Sequence, residues 1–385
     1  MSKYKIEFAP VDFSDAIKYV EEVLKSGWLT SGKFVNLVEE RLSDYFKRPF
    51  LLTSSCTHSL ELAYKFAIEK TEKNLFVVPT WTFAATANAA VNVGGRIAFY
   101  DVDDNLSVDF KSLARILQKH GNDVAAVVTV DYSGLPVDYK KVRHYIDMYA
   151  PQALFIADCA HSFGSSYLNE PAGFFADIAC FSFYANKNLP AGEGGGVLIK
   201  SEWERDFRLM RLHGISKDSW ARYGSGKWDY SIEIIGKKAN MSDLHAAVLM
   251  AKLERFDEDQ KIRLAYWAKY AEVVEGIEGV RMLPLSIGVR RGNAHLAVLL
   301  FEDINRRDSV MQCLVDAGVM LSFHFPPLHI QPAYTSEMFG VEVVESFGSI
   351  AEYYSNRVFS LPISAYLEPE DVDYVCENLY RCLHT

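Results

Sequence analysis

The residues most able to do chemistry begin with Lys187, in the run Phe181-Ser182-Phe183-Tyr184-Ala185-Asn186-Lys187-Asn188 that continues to Gly192-Glu193-Gly194-Gly195. Upstream, Ile156-Ala157-Asp158 sets a carboxylate at the end of an apolar run. A lysine between two apolar strand-like runs loses hydration, so its pKa falls and part of it is neutral, ready to attack a carbonyl and later carry protons. An aldehyde cofactor that acts as an electron sink, pyridoxal 5'-phosphate (PLP), needs such a Schiff-base lysine and a carboxylate to keep its pyridine nitrogen protonated. Lys187 and Asp158 supply these two groups. Singly, each has a plainer reading, as a solvated loop cation and as a cap or turn former.

A third element changes that balance. Leu51 to Ala63 reads as a strand, a small polar turn and a helix, and a helix start offers unpaired N–H groups and the positive end of its dipole. The turn Ser55-Cys56-Thr57 can therefore hold a phosphate. A simple Ser/Thr N-cap would look the same in isolation. Strand, phosphate-type turn, acid and lysine, in that order, favour the cofactor.

These residues need a scaffold. Between residues 50 and 200, short apolar, β-branched runs alternate with segments of helical period, the pattern of a parallel sheet covered on both faces. The expected strands are Phe50–Ser54, Leu75–Pro79, Arg96–Tyr100, Val124–Val130, Leu154–Asp158, Ile178–Phe183 and Gly195–Lys200. The last connections are short for a covering helix, so one of these strands is expected to run antiparallel. Ser242 to about Tyr270 fits one long amphipathic helix. A second α/β block follows, with Leu296–Phe301 strand-like, a helix near Ser309–Ala317, and then Met320–His324. The reading is a doubly wound, mostly parallel seven-stranded sheet in a large domain, residues 1–244, with a smaller C-terminal α/β domain, 245–385. The loop from Ser219 to Gly236, with Trp220, Tyr223, Trp228 and Tyr230, is expected to be functional or covered by a partner subunit.

Composition sets limits. At 385 residues, with 49% hydrophobic and 23% charged residues, the chain can bury a large core. Its formal net charge of -10 argues against nucleic acid as the main ligand. Six cysteines without CxxC spacing, Cys56, Cys159, Cys180, Cys313, Cys376 and Cys382, read as reduced, packed thiols rather than a disulfide framework or a zinc site. No run approaches the ~18 apolar residues of a membrane span, so a cytoplasmic protein is expected.

The chain resembles the PLP-dependent sugar-nucleotide aminotransferases of the DegT family, within fold-type I of the PLP enzymes. The matching segments run from Ser26-Gly27-Trp28-Leu29-Thr30-Ser31-Gly32 to His324-Phe325-Pro326-Pro327-Leu328-His329, in the family's order. Between them lie Ser55-Cys56-Thr57, Val78 to Asn88, Asp158-Cys159-Ala160-His161, Ser182-Phe183 with Lys187-Asn188 and Gly192-Glu193-Gly194-Gly195, and Asn240-Met241-Ser242-Asp243-Leu244. The resemblance implies that Lys187 carries the cofactor and shuttles the proton while Asp158 pairs with the pyridine nitrogen. It places His161 against the ring or its phenolic oxygen. Thr57, the Cys56 backbone and Ser182 would hold the phosphate. Phe83 would stack on the pyridine face, with Trp81 as the alternative, since a flat cofactor needs a flat apolar wall.

In the family, a segment matching Gly236-Lys237-Lys238-Ala239-Asn240-Met241 reaches the neighbouring subunit's cofactor phosphate, so Lys238 and Asn240 are candidate cofactor contacts in a homodimer. Lys237 and Ala239 lack the usual aromatics there. Trp28 and Thr30, with His324 and His329, match places that line the sugar-nucleotide cleft. The implied reaction moves an amino group from glutamate to a nucleotide-linked keto sugar. Asn293-Ala294-His295 resembles a strand entry of relatives acting at carbon 4 of the sugar and, with the Ser54 to Thr57 turn, that resemblance favours dTDP-4-keto-6-deoxyglucose; UDP and GDP carriers, and amination at carbon 3, stay open. A dehydratase of the same fold would carry histidine in place of Lys187. A regulatory PLP-binding protein would show a damaged lysine or acid, or a DNA-binding module, and neither is present.

Overall fold

A computed structural model of the chain describes residues 5–216, 229–335 and 340–384. The loop aromatics Trp220, Tyr223 and Trp228 lie outside the described residues; Tyr230 is exposed.

All seven expected strands form: β1 (Phe50–Thr53), β2 (Leu75–Pro79), β3 (Arg96–Tyr100), β4 (Val124–Val130), β5 (Leu154–Asp158), β6 (Ile178–Ser182) and β7 (Gly195–Leu198). They are buried almost throughout, as near-continuous Val/Ile/Leu/Phe runs require of a sheet covered on both sides. β7 is the antiparallel strand, pairing with β1 on one side and β6 on the other. The sheet has an eighth strand, β8 (Val343–Ser346), parallel to β3 at the edge, so the order is β1-β7-β6-β5-β4-β2-β3-β8. The seven-strand expectation is corrected by this strand. Its short sequence, half of it polar, carries no strand signal, and it comes from the stretch assigned to the small domain. Only tertiary pairing identifies it.

The long helix α2 (Asp243–Val274) starts at Ser242, whose Oγ accepts the His245 N–H at 3.4 Å. It serves two cores: Ala246, Ala247 and Leu249 pack under the large sheet, while Tyr266, Tyr270 and Val274 pack in the C-terminal cluster. That cluster covers a three-stranded antiparallel sheet of Val280–Met282, Ala297–Phe301 and Val358–Leu361. Ile6 joins it and bridges Val319, so both the N-terminal stretch and β8 cross the boundary expected at residue 244. Met320–His324 forms no strand, only one bridge from Ser322 to Ser360.

The expectation of six reduced cysteines is also corrected. Cys313 and Cys382 are joined in a disulfide between the helices Ile304–Asp316 and Pro369–Leu383, with Cα atoms 5.9 Å apart. Their sequence separation of 69 gave no spacing signal. The other four cysteines are free thiols.

Candidate active site

One cavity of about 320 Å³ opens at the carboxyl ends of the parallel strands, where open α/β sheets bind ligands. Lys187, Asp158, His161, Ser182, Cys56, Thr57, Phe83 and His324 all line it. Residues nearly 270 positions apart in the chain thus meet around one space.

The turn at its floor is built by helix α1 (Cys56–Thr71). Ser55 caps it by accepting the His58 N–H at 3.2 Å, leaving the N–H groups of Cys56 and Thr57 without intrahelical acceptors. Gly195 explains part of the glycine-rich run. A Cβ there would lie 2.3 Å from the Ser55 carbonyl carbon and 2.4 Å from the Cys56 nitrogen, so only glycine lets β7 touch this turn.

Lys187 stands in the tight connection from β6 to β7. Its N–H bonds to the Tyr184 carbonyl at 2.9 Å, and Ala191 N–H returns to Phe183 O at 2.7 Å. Its ammonium has no ion-pair or hydrogen-bond partner among the described residues. Burial lowers its pKa to about 8, with Cys56 and Asp158 pulling the other way. At pH 7 roughly a tenth of it is neutral, against about one part in several thousand for an ordinary lysine.

Asp158 ends β5, buried. One oxygen accepts from Thr86 Oγ1 at 2.8 Å and the other from the Ala160 N–H at 3.1 Å. Burial raises its pKa, while Thr86, Ala160 and the Lys187 charge lower it. No cation bonds this carboxylate among the described residues, so it is a desolvated acid able to take an external cationic partner. Thr86 is a contact of Asp158 that the sequence reading did not single out. Its signal was a threonine four residues after Thr82, at the start of the Ala-rich helix Ala84–Asn92; the two hydroxyls lie 2.7 Å apart.

Burial disfavours the charged form of the cavity's histidines. Burial, then Lys187 and His324, hold His161 well below its ordinary value, and burial with Lys187 brings His324 down to about 4. Phe83 is 62% exposed, with its ring 5.9 Å from that of Phe325, so an open aromatic wall faces the cavity. Trp81, the alternative for this wall, is buried against Tyr132 and does not line the cavity.

Five candidates stand elsewhere in this chain. His329 is held by Thr80 Oγ1 at 2.5 Å and Glu352 Oε1 at 2.9 Å, against Gly348, and does not reach the cavity. Trp28 donates to Ser31 O at 2.9 Å. Lys238 bonds Asn240, and Asn240 donates to Ser31 Oγ at 2.6 Å, on a separate surface groove. Thr30 is likewise exposed beside this turn. Ala239 replaces an aromatic by filling a small buried slot, and Lys237 pairs with Glu61.

The cavity fits PLP. A helix start with free N–H groups suits a phosphate, Asp158 suits a pyridinium, and Phe83 suits a ring face. Two buried polar atoms on its wall, His161 Nδ1 and Asn186 Oδ1, have no hydrogen-bond partner among the described residues. Bound there, PLP supplies an electron sink for the carbon that loses or gains a proton. Lys187, on the cavity wall with a lowered pKa, would supply the amine that holds the cofactor and the base that moves the proton.

Fold and cavity together define a fold-type I PLP-dependent aminotransferase. The chain belongs to the DegT/DnrJ/EryC1/StrS aminotransferase family, whose sequence profile matches residues 11–380. It is 32% identical over 377 residues to the spore coat polysaccharide biosynthesis protein SpsC of Bacillus subtilis, covering 96% of this chain and 94% of that one. It is 27% identical over 377 residues to a UDP-4-amino-4,6-dideoxy-N-acetyl-beta-L-altrosamine transaminase of Campylobacter jejuni, covering 97% and 96%. Streptococcus pneumoniae Spr1654, solved in PMP and PLP forms, superposes in its PMP form with a TM-score of 0.88 at 25% identity, over 99% of each chain.

Two outcomes test the site. The apo protein should take up PLP at a rate that rises with pH, reaching half its maximum near pH 8 and levelling above it, as the neutral fraction of Lys187 grows. A profile still climbing at pH 10 would place the reacting amine in water. Thr86→Val removes one donor to a charged acceptor, so kcat should fall about 10- to 30-fold with the fold intact. Unchanged kcat would leave Thr86 a packing residue only.

Proposed function

We propose that this enzyme transfers an amino group from glutamate to carbon 4 of a nucleotide-linked 4-keto-6-deoxyhexose, with dTDP-4-keto-6-deoxyglucose as the leading substrate. The observation that carries the reading is the convergence of Lys187, Asp158 and the Cys56-Thr57 helix start on one cavity that continues to His324. The first three suit the cofactor, and His324 and Phe325, which line the same cavity, are the side chains a second reactant would meet. Both half-reactions then use Lys187 as the same proton carrier, first taking a proton from the donor's α-carbon and later delivering one to the sugar carbon.

A UDP-linked substrate is the second reading, favoured by the name of the Campylobacter jejuni relative, a UDP sugar with an amino group at carbon 4. The name of SpsC supports polysaccharide synthesis as the setting. We also infer a homodimer. Lys238 and Asn240 bond each other off their own cavity, as side chains serving a second copy would.

The deciding experiment is product analysis after incubation with glutamate and 4-keto or 3-keto sugars on dTDP, UDP and GDP. A 4-amino product on dTDP is expected. Amination at carbon 3 alone, or none with glutamate as donor, would overturn the assignment.

A further inference from the structure

We propose that Asn188 and His295 form a clamp that positions Lys187, a role that rests on reading Lys187 as the cofactor-bearing amine. The Asn293 carbonyl can only accept, and it receives Asn188 Nδ2 at 2.9 Å and Gln260 Nε2 at 2.7 Å. Those bonds orient both amides. Asn188 Oδ1 is thereby left as the acceptor facing His295 Nδ1, 2.9 Å away, which puts the imidazole proton on Nδ1.

The rest of the web is equally determined. Asn293 Nδ2 donates to the carbonyls of His161 and Phe163, both at 2.8 Å, and Asn293 Oδ1 accepts the His295 N–H at 3.0 Å. The His295 ring is buried, its centroid 4.3 Å from that of His161. Four segments distant in sequence are tied here: the loop after β5, the loop carrying Lys187, helix α2 through Gln260, and the lead-in to Ala297–Phe301.

Lys187 needs such a tie. Its side chain makes no hydrogen bond among the described residues, so its position follows from the backbone, and its chain neighbour Asn188 anchors that backbone outside the loop. A buried, bonded Asn188 holds the amine in the desolvated wall. Release of Asn188 lets residues 184 to 188 relax toward water. The ionisable groups around Lys187 are Asp158 and Cys56, which favour its charge, and His161, His295, His324, Glu193 and Tyr184, which share its cavity.

The test uses the full-length apo protein, formaldehyde with cyanoborohydride, and peptide mass spectrometry of methylated Lys187 from about pH 6 to pH 10. Asparagine offers an amide N–H near the place of the histidine Nδ1, and glutamine offers one near Nε2. His295→Asn should therefore label Lys187 within about twofold of the wild-type rate at pH 7. His295→Gln and Asn188→Ala should be at least roughly tenfold slower at pH 7 and converge with wild type near pH 10, because their lysine has regained hydration. Equal behaviour of His295→Asn and His295→Gln, whether both intact or both impaired, would overturn the clamp. If wild-type Lys187 labels no faster than surface lysines, the cofactor reading itself falls, a result distinct from failure of the clamp.

Discussion

Lys187→Ala should lower both half-reactions by at least ~10⁴-fold, because one side chain both holds the cofactor and moves the proton. Stopped-flow absorbance of the holoenzyme mixed with glutamate reports the first half, and amination of the keto sugar by the preloaded amine form reports the second. Mass spectrometry after borohydride reduction should find a cofactor adduct at residue 187 in the wild type and none in the variant. An adduct retained elsewhere would remove the assignment. The fold should survive, since the loop is held by backbone bonds and the ammonium has no partner among the described residues. In the apo protein stability should be equal or higher at neutral pH. The folded-state pKa, about 8, lies below the ordinary 10.5, so the cost of a desolvated ammonium applies in full below about pH 8 and fades as pH rises toward 10.5. Melting temperatures of apo wild type and variant at pH 7 and pH 10 measure this, and the gap between them should shrink at the higher pH.

Asp158→Asn should reduce kcat about 10³-fold while PLP stays bound, equivalent to about 4 kcal/mol of transition-state stabilisation. The magnitude follows from replacing a buried charge-assisted contact by a neutral one where water does not compensate. Asparagine keeps the shape, and its Oδ1 still accepts from Thr86 Oγ1 or the Ala160 N–H, so the strand end should hold. That separates electrostatics from folding. If Asp158 served only as a turn former, the variant would lose stability with kcat unchanged; the expected pattern is a normal melting temperature, an altered visible absorbance and slow turnover. Single-turnover kinetics with glutamate, read beside thermal melts of the same holoenzyme, distinguish the two.

Much of this was legible along the chain. The strands of residues 50–200 follow from β-branched runs separated by helical spacing, and a short connection before Gly195 was enough to imply an antiparallel strand. Ser55-Cys56-Thr57 showed a helix start, and Asp158 at a strand end and Lys187 between two strand-like runs showed themselves by chemistry. These are local signals, set by neighbours within a few residues.

What remained hidden depends on contacts between distant segments. β8 carries no strand pattern of its own and exists because the edge of β3 is free to pair. The Cys313–Cys382 disulfide closes 69 residues that have no periodic mark. His329, read as a cleft residue, is turned instead into a bond with Thr80, 249 positions away, and Glu352.

By itself, then, the order of residues determined the α/β class, the strand ends and the chemical types present there, because alternation, capping and turn formation are near-neighbour physics. Tertiary packing alone decided which of those side chains face the common cavity, how far each is stripped of water, and that Thr86, Asn188 and His295 support them. Desolvation and hydrogen-bond partners are supplied by whatever the folded chain brings alongside, and no local pattern encodes that.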